Sequence, residues 1–89
     1  MTPLELLEAG LHNTHIRFLY YGHELSGVLI DDKNFRADEK YLDTQYIYIP
    51  TLNLIDYQKA STAKDLHAMK QLSRIIDISA ITNAEKIIH

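Results

Sequence analysis

Three histidines, His12, His15 and His23, stand close together with Asp31 and Asp32 downstream, and imidazole and carboxylate are common ligands of a divalent metal. His12-x-x-His15 straddles the end of one element and the start of another, so its spacing specifies no tetrahedral set; exposed or capping histidines are the expected reading, and no metal or other cofactor is expected. Cysteine is absent, no serine, threonine or lysine stands in a nucleophile motif, and the three glycines are too scattered for a phosphate loop. These residues point away from an enzyme.

A second chemistry is stacking. Six tyrosines with Phe18 and Phe35 offer faces on which bases can lie. Tyr46, Tyr48 and Tyr57 sit in apolar stretches and are expected to pack inside, whereas Phe35, between Asn34 and Arg36 in a polar run, is the better stacking candidate. A net charge of −3 opposes generic phosphate binding, which depends on lysine and arginine displacing counterions. The charge is unevenly spread: Asp31, Asp32, Asp38, Glu39 and Asp43 gather in one run, while residues 57–89 carry Lys59, Lys64, Lys70, Arg74 and Lys86 against Asp65, Asp77 and Glu85. One surface can therefore be basic.

The elements that must hold these groups form one domain, residues 1–89, small enough that oligomerisation would add useful buried area. An apolar fraction of 46% with 24% charged residues belongs to an ordered globular chain. No disulfide can compensate for a small core. No apolar run approaches a membrane span and the N-terminus lacks signal-peptide character, so a cytoplasmic location is expected and a membrane partner is not.

Residues 2–10 read as a short helix, capped by Thr2 with Glu5 completing a capping box, ended by Gly10, and burying Leu4, Leu7 and Leu11. From Thr14 the period becomes two, with Ile16, Phe18 and Tyr20 on one strand face. Gly22-His23 fits a two-residue hairpin turn with glycine first. The return strand ELSGVLID is interrupted by Gly27, which marks either a sharp bend with close backbone approach or a β-bulge. Residues 31–43 read as a loop. TQYIYIPTLNLIDYQKA follows, as two strands joined at Pro50 or one bent strand. ASTAKDLHAMKQLS favours a helix capped by Ser61 or Thr62, RIIDISAI a strand, and TNAEKIIH a final helical turn. Residues 14–59 thus form the expected barrel core, and residues 60–89 its closing strands or a helical extension.

In IRFLYYGHELSGVLI, the residues Ile16, Phe18, Gly22, Gly27 and Leu29 resemble the first motif of the Sm-like family, which includes the Sm and LSm proteins and bacterial Hfq. The resemblance covers residues 4–31. It implies a mainly β fold: a small, strongly bent five-stranded antiparallel barrel with an N-terminal helix and a C-terminal helix or strand extension. It also implies a homo-oligomeric ring of about five to seven subunits, closed head to tail, with single-stranded RNA or DNA as ligand in RNA or DNA processing. Unpaired isoleucine-rich edges such as QYIYI or RIIDISAI give an independent reason for such pairing.

Two continuations are open. In one, Asn34 and Phe35 match the polar and aromatic pair that contacts bases in Hfq, and YIYIPTLNLIDY supplies the last two strands. In the other, residues 32–45 are an insertion, Asn53 is the base reader, and MKQLSRIIDI is the closing motif. Lys33, Asn34, Phe35 and Arg36, or Asn53, would hold bases, with Lys70 and Arg74 on phosphate. Gln71-Leu72 or Ile49-Pro50 stands where Sm proteins carry Arg-Gly or Hfq carries Lys-His. That departure, with the negative charge, supports the alternative of a protein-protein assembly module without nucleic acid.

Overall fold

The computed structural model describes residues 3–30 and 45–87. These residues form a small, mainly β domain with a five-stranded antiparallel sheet and three helices. The elements run α1 (Pro3–Leu11), β1 (Ile16–Tyr20), β2 (His23–Ile30), β3 (Gln45–Pro50), a 3-10 turn (Thr51–Asn53), α2 (Leu54–Thr62), α3 (Leu66–Leu72), β4 (Arg74–Asp77), a second 3-10 turn (Ile78–Ala80) and β5 (Ile81–Lys86). The sheet order is β4-β3-β2-β1-β5. No helix among the described residues is long and apolar enough to cross a membrane.

Helix α1 ends one residue later than Gly10. Its stop is a left-handed Asn13 (φ 50°), whose N–H donates to Gly10 O while Thr14 N–H donates to Ala9 O, satisfying the last carbonyls. Gly10 serves a separate purpose. A Cβ there would overlap Leu29 O and stand 3.3 Å from Ile30 Cα, so its absence lets α1 lie against β2. The buried stripe is Leu6 and Ala9; Leu4 and Leu11, expected inside, are exposed.

Between β1 and β2 the loop is Tyr21-Gly22, with Tyr20 paired to His23 and both loop residues at positive φ (50° and 81°). This is a type I′ turn, one residue earlier than the expected Gly22-His23, and its twist matches the flanking strands. Gly27 is the one residue of β2 paired on both sides, with Ile16 of β1 and Pro50 of β3. The β1–β2 ladder ends at Gly27 and the β2–β3 ladder begins there, each without a register shift, so the strand is not bulged at this residue. A Cβ on Gly27 would overlap Ile49 O and lie 2.9 Å from Tyr48 Cε1, so close backbone approach explains the glycine.

Strand β3 divides the core. Tyr46 and Tyr48 join Ile16, Phe18, Leu29, Ile76 and the α1 residues Leu6 and Ala9 on one face; Ile47 and Ile49 join Tyr57, Ala60 and Met69 on the other. QYIYI is thus a central strand and not an edge. The first cluster holds residues of all five strands once the partly buried Ile81 and Ala84 are included, so the sheet curls around it. Tyr20 Oη of β1 accepts a hydrogen bond from Asp77 N of β4 (3.3 Å), although two strands intervene in the order. No β4–β5 pairing is present among the described residues; both strands are edges.

After Pro50 the chain leaves the sheet. Leu54, Tyr57 and Ala60 recur every three residues, so LIDYQKAST forms α2 and not a strand, and it packs on Ile47 and Ile49. This removes YIYIPTLNLIDY as the last two strands and residues 51–59 from the barrel core. Ser61 and Thr62 belong to the end of α2; the cap of α3 is Asp65, whose Oδ1 accepts from Ala68 N at 3.2 Å. A left-handed Lys64 (φ 57°) separates the helices. The helices are therefore inserted between β3 and β4, not appended after the barrel, and TNAEK belongs to β5 instead of a helical turn. Opposite β1, the register shifts between Arg17 and Leu19 where Asn83 takes φ 52°, a bulge that places one extra residue in β5.

Candidate nucleic-acid interface

Of the residues expected to touch nucleic acid, Lys33, Asn34, Phe35 and Arg36 lie outside the described residues. The fold brings the other three to one junction. Asn53 ends the 3-10 turn before α2 and donates from Nδ2 to Leu72 O at 3.1 Å. Leu72 is the last residue of α3, with Lys70 two positions before it and Arg74, the first residue of β4, two positions after. Lys70 and Arg74 are both exposed. The amide of Asn53 thus ties the two ends of the helical insertion together, beside two cations.

Arg74 is paired in register with Tyr48. Burial drives the Tyr48 phenol above its ordinary pKa, because ionisation would place a charge in the core, and the positive charge of Arg74 acts in the opposite direction; the hydroxyl donates to Ser26 O at 2.7 Å. The phenol edge meets Phe18 at 5.6 Å and 84°. Tyr46, Tyr48 and Tyr57 are buried, in accord with packing roles.

A different cation is engaged elsewhere. Arg17 on β1 binds Glu85 of β5 through Nε (3.0 Å) and its terminal nitrogen, and Glu24 of β2 stands 3.5 Å from Nε. The hydrogen bond to Glu85, then its charge, raise the arginine pKa further. This bridge spans three strands on an exposed surface, where ion pairs add little stability.

The histidines do not converge. His15 precedes β1 and His12 stands before it, whereas His23 pairs with Tyr20 at the far end of that strand, about 16 Å away from His15 by the rise of an extended chain. No group of three or more metal-ligating side chains is present among the described residues.

Two surface features escape a reading of the sequence. Tyr21, at the hairpin tip, is 73% exposed and stands edge-to-face with Tyr20 at 4.7 Å and 66°. The only local signal is the Tyr-Gly pair itself, which is not the usual Asn-Gly of such a turn. The helical insertion also exposes large apolar side chains, Leu52 (95%), Ile55 (67%) and Leu66 (56%), the first two of which the apolar composition of LNLI could have signalled. No protein-family model, curated protein or solved structure matches this chain.

Proposed function

We propose that this chain is the subunit of a closed, Sm-like homo-oligomeric ring that binds single-stranded RNA or DNA. The observation that carries the reading is the pair of open edges on one curled sheet. Among the described residues, strands β4 and β5 each pair with a neighbouring strand on one side only, so each offers an outer edge for pairing. Antiparallel pairing of β4 from one copy with β5 of the next is heterologous, and a constant rotation closes it into a ring without a remaining edge. The close approach at Gly27 that allows the sheet to curl, and the motif around it, support the Sm-like assignment.

Nucleic-acid binding is supported by the α3–β4 junction, where Asn53 is bonded to Leu72 O, two residues from Lys70 and two from Arg74, and by the Lys33 to Arg36 run between β2 and β3. In this reading Lys70 and Arg74 neutralise phosphate, and the asparagines and Phe35 hold bases. Light scattering should give a discrete multiple of the 10.3 kDa chain. Fluorescence polarisation with short U-rich and A-rich oligonucleotides should show binding that weakens with salt. A monomer at micromolar concentration, or no binding at low salt, overturns the proposal.

A protein-assembly reading without nucleic acid has one observation in its favour, the exposed Leu52, Ile55 and Leu66 on the insertion. Pull-down that recovers nuclease-insensitive protein partners and no nucleic acid would replace the first reading with this one.

A further inference from the structure

Tyr21 occupies a position that its side chain does not favour. In a type I′ turn both central residues have positive φ, which asparagine and glycine adopt readily and a bulky aromatic does not. Burial does not offset this cost, since the ring is 73% exposed. The ring is nevertheless held in place: it stands against Tyr20, and Tyr20 is fixed from the other side by the N–H of Asp77. A strained, exposed and braced aromatic points to a role outside the fold.

We infer that Tyr21 is a stacking surface for a nucleobase of a bound single strand, an inference that rests on the nucleic-acid reading above. A single ring on a two-residue tip, flanked by the exposed residues Gly22, His23 and Glu24, offers far less than the roughly 800 Å² per side of a standard protein interface. It matches the face of one base. In a ring the tip recurs once per subunit, so successive bases or segments of one strand can reach successive tips. Neither loop residue is a lysine or arginine, and Arg17 on the same strand is held by Glu85 and Glu24. The contact is therefore stacking without phosphate neutralisation.

That separation supplies the test. Tyr21→Asn creates the favoured Asn-Gly turn, so it should raise the melting temperature while lowering oligonucleotide affinity about 5- to 150-fold, the factor equivalent to roughly 1 to 3 kcal/mol per base. The slope of log affinity against log salt should not change, because no phosphate contact is lost. Tyr21→Phe should bind as the unaltered protein does. If Tyr21→Asn keeps full affinity, the inference falls and the nucleic-acid reading stands. Binding lost together with a change in salt slope or in solution mass also overturns it, because the tip would then act on charge or assembly. If the unaltered protein binds no oligonucleotide at low salt, both readings fall.

Discussion

Replacing Gly27 with alanine should be the most damaging single-methyl change available in the sheet. The added Cβ would overlap Ile49 O and stand 2.9 Å from Tyr48 Cε1 and 3.0 Å from Ile49 C. Two of these atoms are backbone, so no side-chain rotation relieves the overlap; β2 and β3 must part at the Gly27–Pro50 pair. Parting them costs roughly 1–3 kcal/mol in packing strain. It also strains the Tyr48 Oη to Ser26 O hydrogen bond, worth about 1 kcal/mol. Alanine at a positive φ of 157° adds a further conformational penalty of about 1–3 kcal/mol. The total is at least about 3 kcal/mol, a large share of the roughly 4–13 kcal/mol expected for a domain of 89 residues. Gly22→Ala is the control. Its φ is 81°, but nothing lies within 4 Å of the new Cβ, so the cost is only the left-handed penalty of about 1–2 kcal/mol. Urea unfolding followed by circular dichroism, at one protein concentration, should rank Gly27→Ala well below Gly22→Ala. In thermal scans the former should melt at least about 12 °C below the unaltered protein. If the two variants unfold within experimental error of each other, the claim that close strand approach dictates Gly27 is wrong.

Other outcomes follow from single contacts. Tyr48→Phe should cost about 1 kcal/mol at neutral pH by leaving Ser26 O without its donor. Because burial raises the phenol pKa above its unfolded value near 10, Tyr48 stabilises the fold fully below pH 10 and loses that contribution as pH rises through the folded value; the variant should show a shallower alkaline decline in urea midpoint. Asp65→Ala removes the cap of α3 and should destabilise by about 0.5–2 kcal/mol in denaturant unfolding. Lys64→Gly should instead raise stability by about 1 kcal/mol, since glycine accepts the left-handed conformation between α2 and α3 without penalty.

The first half of the chain was legible because its signals are local. The period of two from Ile16 and the turn near Gly22 need no distant partner to be read, whereas the reason for Gly27 stayed open between a bend and a bulge because it lies in the backbone of Ile49 on β3. The turn register slipped by one because nothing local announces that a tyrosine takes a left-handed conformation. Beyond Pro50 the helix in DLHAMKQL and the strand that opens RIIDISAI were legible, and two other segments were not, for separate reasons. LNLIDY is rich in the residues of buried strands, and its helical spacing of Leu54, Tyr57 and Ala60 matters only once Ile47 and Ile49 present a second apolar face to cover. The last strand was disguised by its bulge: the extra residue at Asn83 places the partly buried Ile81, Ala84 and Ile87 three apart, the spacing of a helix. Of the candidate site, the cations Lys70 and Arg74 were visible as charges, but their meeting with Asn53 depends on a hydrogen bond to Leu72 that sequence spacing does not encode.

The strand order also governs how the molecule assembles in time. β1 and β2 close through a two-residue loop, whereas β5 must return from the end of the described chain to pair with the first strand, and β4 waits for the helical insertion to bring it beside β3. The outer strands therefore depend on the longest excursions of the chain, which are the slowest to form and the first to open. Amide exchange should be fastest in β4 and β5 of an isolated subunit and should slow in both at once where a neighbouring copy occupies them.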